Sequence, residues 1–527
     1  MPAVIWRSGI KLIAGNRLFA AALVPAILLR IDAELGYRWQ SWFNDSFSYV
    51  SAAVRLTPDM SRPSGYSIYL WLLSPLRSFA PVTISQHLMG LLVAVMIYAL
   101  ARYRFAAPAW VGVLCTLPVL YDGFEIQLEH LIMSDTLFLF LAMAAVTTLL
   151  WSPSGPSWRA CLLAGVLLGV SSVVRSTGLP LVAVFAVYLL VVRFPWRGAA
   201  SWRTVLAGLA ACLISFAVPV LGYEAWFQSA HGEFTMTDST GIFLYSRVMT
   251  FADCSRMSLP ADLLSLCSAV PPDRRPIAQA YIWTQASPLD RFPSPKFSPT
   301  VNGLAEQFAI KAIEAQPLDY ARVTWDDTAR TLLWAHPVFP NGATYDEYLF
   351  GYHSVPIPRS SHRGYPSSAA YYVRGNPETV VVNPFAGLIR VYQRYVWLPG
   401  TVFGFVLLAG LIGAARRWRR IGGESVLPWL CSVALIVVPA ATAEFDYRYV
   451  TTAVPFACLA AAMAFGRSSV RAPAVTAAAA VPAAVDPSAG GEPGSAPSLP
   501  RRVPGGSPGH RPANAGHHQR DLAPDAP

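Results

Sequence analysis

Residues 65–79 read GYSIYLWLLSPLRSF, and whether this stretch crosses a membrane decides the topology of the whole chain. It is apolar, but Pro75 and Arg77 interrupt its end, and it is shorter than the roughly 20 residues a spanning helix needs. Outward from it on both sides lie longer apolar runs, near 12–31, 83–101, 106–121, 131–151, 160–175, 178–193 and 204–222, then near 396–415, 426–443 and 449–466. With 65–79 left out there are ten spans. Arg102, Arg104, Arg159, Arg193, Arg197, Arg203 and the RRWRR cluster at 416–420 then share one side with Arg7, Lys11 and Arg17. Basic residues in short loops mark the cytoplasmic side. Counting 65–79 as a span would put RRWRR opposite the basic N-terminus, so it reads as a re-entrant or interfacial helix on the outer side.

Composition agrees with a chain whose main solvent is hydrocarbon. Of 527 residues, 54% are hydrophobic and 13% charged, and mean hydropathy is +0.41; a soluble domain carries about a quarter charged residues. The net charge of +10 therefore reads as topology, not as nucleic-acid binding. The apolar run Leu18–Ile31 after the basic N-terminus imitates a signal peptide, but Ile31-Asp32-Ala33 is a poor cleavage context, and the run reads as an uncleaved first span.

These counts predict an all-α polytopic membrane protein of about ten transmembrane helices. It comprises an N-terminal membrane module (1–222) with a first outer loop (32–82), an extracytoplasmic domain of mixed helices and loops (223–395), C-terminal spans (396–466), and a cytoplasmic tail (467–527). Both termini lie inside. NGLAEQFAIKAIEAQ at 302–316 has helical spacing within the outer domain. The tail is Ala-, Pro-, Gly- and Ser-rich and lacks the apolar content to fold. Cys115, Cys161, Cys212, Cys431 and Cys458 fall in predicted spans. Cys254 and Cys267 are the two in the outer domain; an oxidising compartment would join them as a disulfide, the alternative being two free thiols.

No Walker loop, H-E-x-x-H, G-x-S-x-G or metal-spaced Cys/His set is present. Instead, ionisable residues gather at the outer ends of spans, where charges are expensive and mark candidate functional groups. The segments are WFNDSFSYVSAAV (42–54) with RPSGYSIYLWLLSPL (62–76), YDGFEIQLEHLIMSDTLFLFL (121–141), SSVVRSTGLPL (171–181) and EFDYRYVTTAVPF (444–456). Their recurrence on one membrane face is the geometry of a shared cavity.

In order, these segments resemble the GT-C class of membrane glycosyltransferases, in particular the bacterial branch similar to protein mannosyltransferases and aminoarabinose transferases. The elements are an acid in the first outer loop, the R-P-x-G-Y stretch at 62–66, Ser134-Asp135-Thr136-Leu137-Phe138, the R-x-x-G turn at 175–178, and Arg448-Tyr449 ahead of Pro455. The resemblance covers roughly 15–465 and finds no match in the outer domain. It implies a GT-C-like bundle that takes a hexosyl or pentosyl group from a polyprenyl-phosphate carrier and passes it to an extracytoplasmic glycan, lipid or protein. The work would be done at the outer face of the cytoplasmic membrane, with no nucleic acid involved. Asp45 matches the first-loop acid, the catalytic candidate, with Asp32 and Asp59 as competitors; its structural alternative is a helix N-cap. The lipid phosphate calls for guanidinium forks, which nominates Arg175, Arg448 and Arg62 as donor-phosphate ligands; the alternative for all three is snorkelling to lipid headgroups. Glu129, His130, Asp135 and Tyr49 are the sugar- or acceptor-binding candidates. His87 reads as a core histidine, and Glu444 and Asp446 as ion-pair partners of Arg448. No cofactor is required; a divalent cation is compatible with the acid cluster. Rival readings are a ligase or polymerase using diphosphate-linked donors, a transporter or flippase, and a scaffold.

Overall fold

The computed structural model describes residues 16–153, 155–192, 201–285, 287–353, 365–421 and 423–466. The chain divides after Arg471, and the tail read as disordered lies outside the described residues.

Each of the ten apolar segments falls on a helix. In order the longer helices are α1 (Arg17–Gly36), α2 (Ser46–Arg55), α3 (Gly65–Leu73), α4 (Ala80–Ala99), α5 (Ala109–Tyr121), α6 (Gly123–His130), α7 (Asp135–Leu150), α8 (Trp158–Val174), α9 (Leu181–Val187) and α10 (Trp202–His231). They continue with α11 (Thr240–Val248), α12 (Pro299–Ala315), α13 (Pro317–Arg330), α14 (Tyr365–Val373), α15 (Phe385–Tyr395), α16 (Gly400–Ile421), α17 (Val426–Thr442) and α18 (Tyr447–Ala464). Among the described residues, two helices, Ala80–Arg104 and Trp202–His231, are long and apolar enough to cross a membrane alone; two bent pairs, α5 with α6 (53°) and α15 with α16 (62°), bring this to four. Shorter apolar helices lie on four more of the predicted spans, and α1 and α18 lie on the first and last.

The deciding stretch breaks where its sequence says it should. Helix α3 has nine residues, about 13 Å at 1.5 Å per residue, less than half a hydrocarbon core. Ser74–Leu76 follow as a 3-10 turn, and Arg77 then takes a positive φ of 51°.

The outward faces carry the membrane signature. On α10, Leu206, Leu213, Ile214, Val218 and Leu221 are all exposed, a stripe at helical spacing that water would penalise and lipid accepts. This is a helical membrane protein. Within the bundle, α8 lies against α10 through glycines four residues apart. A Cβ at Gly165 would sit 2.2 Å from the Cys212 carbonyl oxygen, and one at Gly169 would sit 2.4 Å from that of Phe216. Backbone approach of this kind is how helices associate where no hydrophobic effect drives them. Gly169→Val is therefore expected to destabilise the detergent-solubilised protein by about 1–3 kcal/mol through overpacking, read as a lowered thermal midpoint; an unchanged midpoint would show the contact to be slack.

The described residues between α10 and α16 are helical and turn-rich with a core of their own. Helices α11 and α12 pack around Ile242, Tyr245, Val248, Val301, Phe308 and Ala309, and Cys254 and Cys267 form the disulfide beside it. The sheet content among the described residues is one two-stranded antiparallel ribbon, β1 (Tyr37–Arg38) with β2 (Val380–Val381). Toward the membrane, Arg247 on α11 ion-pairs with buried Asp327 on α13 at 2.9 Å, and the same carboxylate oxygen accepts the Phe445 N–H at 3.0 Å. Outer region and last span are thereby tied together. Helix α10 runs to His231, nine residues past the boundary drawn at 222.

Candidate active site

A cavity of about 1390 Å³ is lined by helix ends around Asp45, Arg175 and Arg448 and by residues of the 231–344 region. Asp45, Tyr49, Arg62, Arg175 and Arg448 all line it, although they are spread over some 400 positions of sequence.

Asp45 precedes α2 but does not cap it: its side chain accepts no backbone N–H of that helix. Both oxygens turn instead to guanidinium groups, Oδ1 to Arg62 at 2.8 Å and Oδ2 to Arg448 at 2.7 Å. Burial alone would raise its pKa, but the two arginines outweigh that and hold the carboxyl well below the usual carboxylate range.

Arg448 begins the first turn of α18 and is shared. Besides Asp45 it ion-pairs through Nε with Asp446 at 3.0 Å, and Asp446 also accepts the Tyr348 hydroxyl. Its guanidinium lies over the rings of Phe43 and Tyr449, 5.3 and 5.5 Å from their centroids. Arg175, where α8 ends, pairs with Asp135, the buried first residue of α7, and lies 5.0 Å over the Tyr449 ring. The Tyr449 ring is therefore within cation–π distance of both guanidiniums. None of the three arginines snorkels outward. Arg62 lies 5.6 Å over Tyr49, whose hydroxyl is 2.9 Å from the Ser134 hydroxyl.

Asp135 thus stands behind Arg175 and orients it. Glu129 and His130 are not brought to the cavity: Glu129 pairs with Arg30 and His87, both at 2.7 Å, and His130 bonds the Tyr37 carbonyl. The reason is the bend between α5 and α6, which turns the end of α6 into the bundle. His87, read as a core histidine, is buried but belongs to this cluster. Of the competing acids, Asp59 lines the cavity but accepts the Ser61 N–H and hydroxyl at 2.8 and 2.5 Å, which fixes a turn. Asp32 sits on α1 outside the lining.

Of the two acids assigned to Arg448 from sequence, Asp446 pairs with it and Glu444 instead lies on the cavity wall. Burial, with Asp446 adding to it, pushes Glu444 up to about 8. Sequence reasoning also passed over Tyr449, Tyr348 and Lys296. Tyr449 was signalled by its place beside Arg448, whereas Lys296, on the far wall, sits in an outer-domain loop with no motif. The acids facing the cavity at Arg448 are occupied by guanidinium. Among the described residues, the group of three whose atoms could surround an ion is Glu34, His87 and His130, outside the cavity lining.

No family model matches the chain, and no curated protein matches it in sequence. Among solved structures it is similar to the Saccharomyces cerevisiae protein O-mannosyltransferase Pmt1-Pmt2 complex bound to the sugar donor, at 18% identity over 45% of this chain and 36% of that one, TM-score 0.33. It is similar to the archaeal oligosaccharyltransferase AglB from Archaeoglobus fulgidus in complex with an inhibitory peptide and a dolichol-phosphate (14% identity, 85% and 50% covered, TM-score 0.36). A third is ArnT from Cupriavidus metallidurans bound to undecaprenyl phosphate (14% identity, 86% and 77% covered, TM-score 0.33). The chain spans about a third of the mannosyltransferase chain and half of the oligosaccharyltransferase.

Proposed function

We propose that the chain is a membrane glycosyltransferase that moves a hexosyl or pentosyl group from a polyprenyl-phosphate carrier to an extracytoplasmic acceptor, at the outer face of the cytoplasmic membrane. The observation that carries the reading is one wall on which a carboxylate, Asp45, is held between Arg62 and Arg448 with Arg175 close by. Guanidinium forks suit the phosphate of a lipid-linked donor, and the carboxylate suits the hydroxyl of an acceptor.

The reaction breaks the bond between the anomeric carbon and the phosphate oxygen and forms one from that carbon to the acceptor oxygen. The electron pair leaves on the polyprenyl phosphate, where Arg175 and Arg448 stabilise it. The acceptor proton goes to Asp45. In the free enzyme Asp45 is a weak base, because two arginines hold its pKa low, and a base works best when its pKa lies near the working pH. A donor phosphate drawing Arg448 and Arg62 toward itself releases Asp45, so the base is armed once the donor is in place. Asp446 keeps hold of Arg448 as Asp45 lets go.

Vesicles containing the purified protein, given a radiolabelled polyprenyl-phosphate sugar and an envelope extract as acceptor, are expected to move label out of the lipid-linked pool. Label that moves only from diphosphate-linked oligosaccharides would assign a ligase or polymerase. Donor that crosses the bilayer unhydrolysed and untransferred would assign a flippase and end this reading.

A further inference from the structure

Away from the cavity, three helices meet at a small polar cluster. Glu34 is near the end of α1, His87 lies within α4, and His130 ends α6. His87 Nε2 is 3.2 Å from His130 Nδ1 and 3.7 Å from Glu34 Oε1, while His130 Nδ1 is 3.8 Å from that same oxygen.

The hydrogens at this point are settled by the other ring nitrogens. His130 Nε2 lies 2.7 Å from the Tyr37 carbonyl, which only accepts, so Nε2 carries the hydrogen. His87 Nδ1 lies 2.7 Å from Glu129 Oε2, and Glu129 is ion-paired with Arg30 at 2.7 Å, so Nδ1 donates to a carboxylate. In neutral imidazoles the two nitrogens that face each other are then both lone pairs. The third corner is a carboxylate. Both Glu34 oxygens are closed to solvent, and the donor beside them is the Thr83 hydroxyl, which also reaches the Trp39 and Ala80 carbonyls. Arg30 matches the charge of Glu129; among the described residues no arginine or lysine pairs with Glu34.

Three acceptors aimed at one point repel one another unless a proton or a metal ion sits between them. Their spacing suits a small one. A tetrahedral ion with bonds of about 2.0–2.1 Å has ligand atoms about 3.3–3.5 Å apart, within a few tenths of an ångström of the three edges here. The ligand types, two imidazoles and a carboxylate, are those of zinc-type sites, and each histidine already makes the outer hydrogen bond, to a carboxylate and a backbone carbonyl, that metal-ligating histidines make. We infer that Glu34, His87 and His130 bind one divalent transition-metal ion of the zinc type, with Glu129 and the Tyr37 carbonyl orienting the rings and water completing the shell. The site stands apart from the transferase cavity and does not depend on that reading. It fastens the root of the first outer loop: the His130 carbonyl accepts the Ser41 N–H at 3.0 Å, four residues before Asp45.

The test is metal analysis and zinc X-ray absorption on the full-length protein, purified in detergent with a histidine-free tag. Wild type is expected to hold about one zinc per chain in a nitrogen and oxygen shell with two imidazoles. Glu34→Gln, His87→Asn and His130→Asn should each lose it, and Glu129→Gln should weaken zinc binding about 10- to 100-fold. Replacing the tail histidines His510, His517 and His518 by alanine should leave the zinc in place. A metal-free wild type, sulfur ligands from the free cysteines, zinc retained by all three ligand variants, or zinc lost with the tail histidines would overturn the site. Should the ligand variants aggregate, the ligand set seen by absorption in wild type decides.

Discussion

Asp45→Asn is expected to lower turnover by about 100- to 10,000-fold, the usual loss when a general base is removed. Asparagine keeps the shape and can still accept a hydrogen bond from one arginine, but it cannot take a proton. Donor affinity should change far less than turnover. The alternative is purely structural: Asp45 neutralises Arg62 and Arg448, and its loss leaves two guanidiniums uncompensated. That alternative predicts a lower thermal midpoint and a weakened donor KM with near-normal turnover of the folded fraction. The two accounts separate on the kcat-against-KM split measured on monodisperse protein. Full turnover by a well-folded Asp45→Asn enzyme would move the base to Glu444, an acid on the cavity wall that burial pushes up to about 8.

Arg175 should show two effects that one substitution cannot separate. Arg175→Ala strands Asp135, which is fully buried, and breaking a buried pair by removing one partner costs about 3–5 kcal/mol. Arg175→Lys keeps the charge opposite Asp135 but loses the planar fork and the stacking on Tyr449. The lysine variant should therefore melt close to wild type and bind donor roughly tenfold or more weakly, a loss of about 1.4 kcal/mol. Thermal unfolding with donor titration of both variants checks this. A lysine variant with unchanged donor affinity would remove Arg175 from phosphate recognition and leave it as the counter-ion of Asp135.

The outer-rim charges could be read from sequence because hydropathy locates the ends of spans, and arginine asymmetry says which ends share a face. Hydropathy placed these charges at span ends, and the resemblance to the GT-C class then singled out Asp45, Arg62, Arg175 and Arg448 among them. Neither could say which way a helix end points. Glu129 and His130 sit as near a span entry as Asp135 does, yet the bend after Tyr121 turns them into the bundle, while Asp135 starts the next helix behind Arg175. The same bend makes His87, at mid-span in hydropathy, a neighbour of residues more than 40 positions away. The break at Pro75 and Arg77 was visible, since it depends on local chemistry. Pairing of β1 with β2 was not, because two-residue strands leave no period.

Asp45 and Arg448 are 403 residues apart in sequence, and β1 waits for a partner almost as distant. At a synthesis rate of about 5–20 residues per second, roughly 20 to 80 s pass between translation of the acid and translation of its arginine. Throughout that interval Asp45 has Arg62 as its one guanidinium partner of the two, and the ribbon is unpaired. The last span to leave the ribosome therefore completes the charge set of the first loop, so nascent or truncated chains are born without the finished constellation.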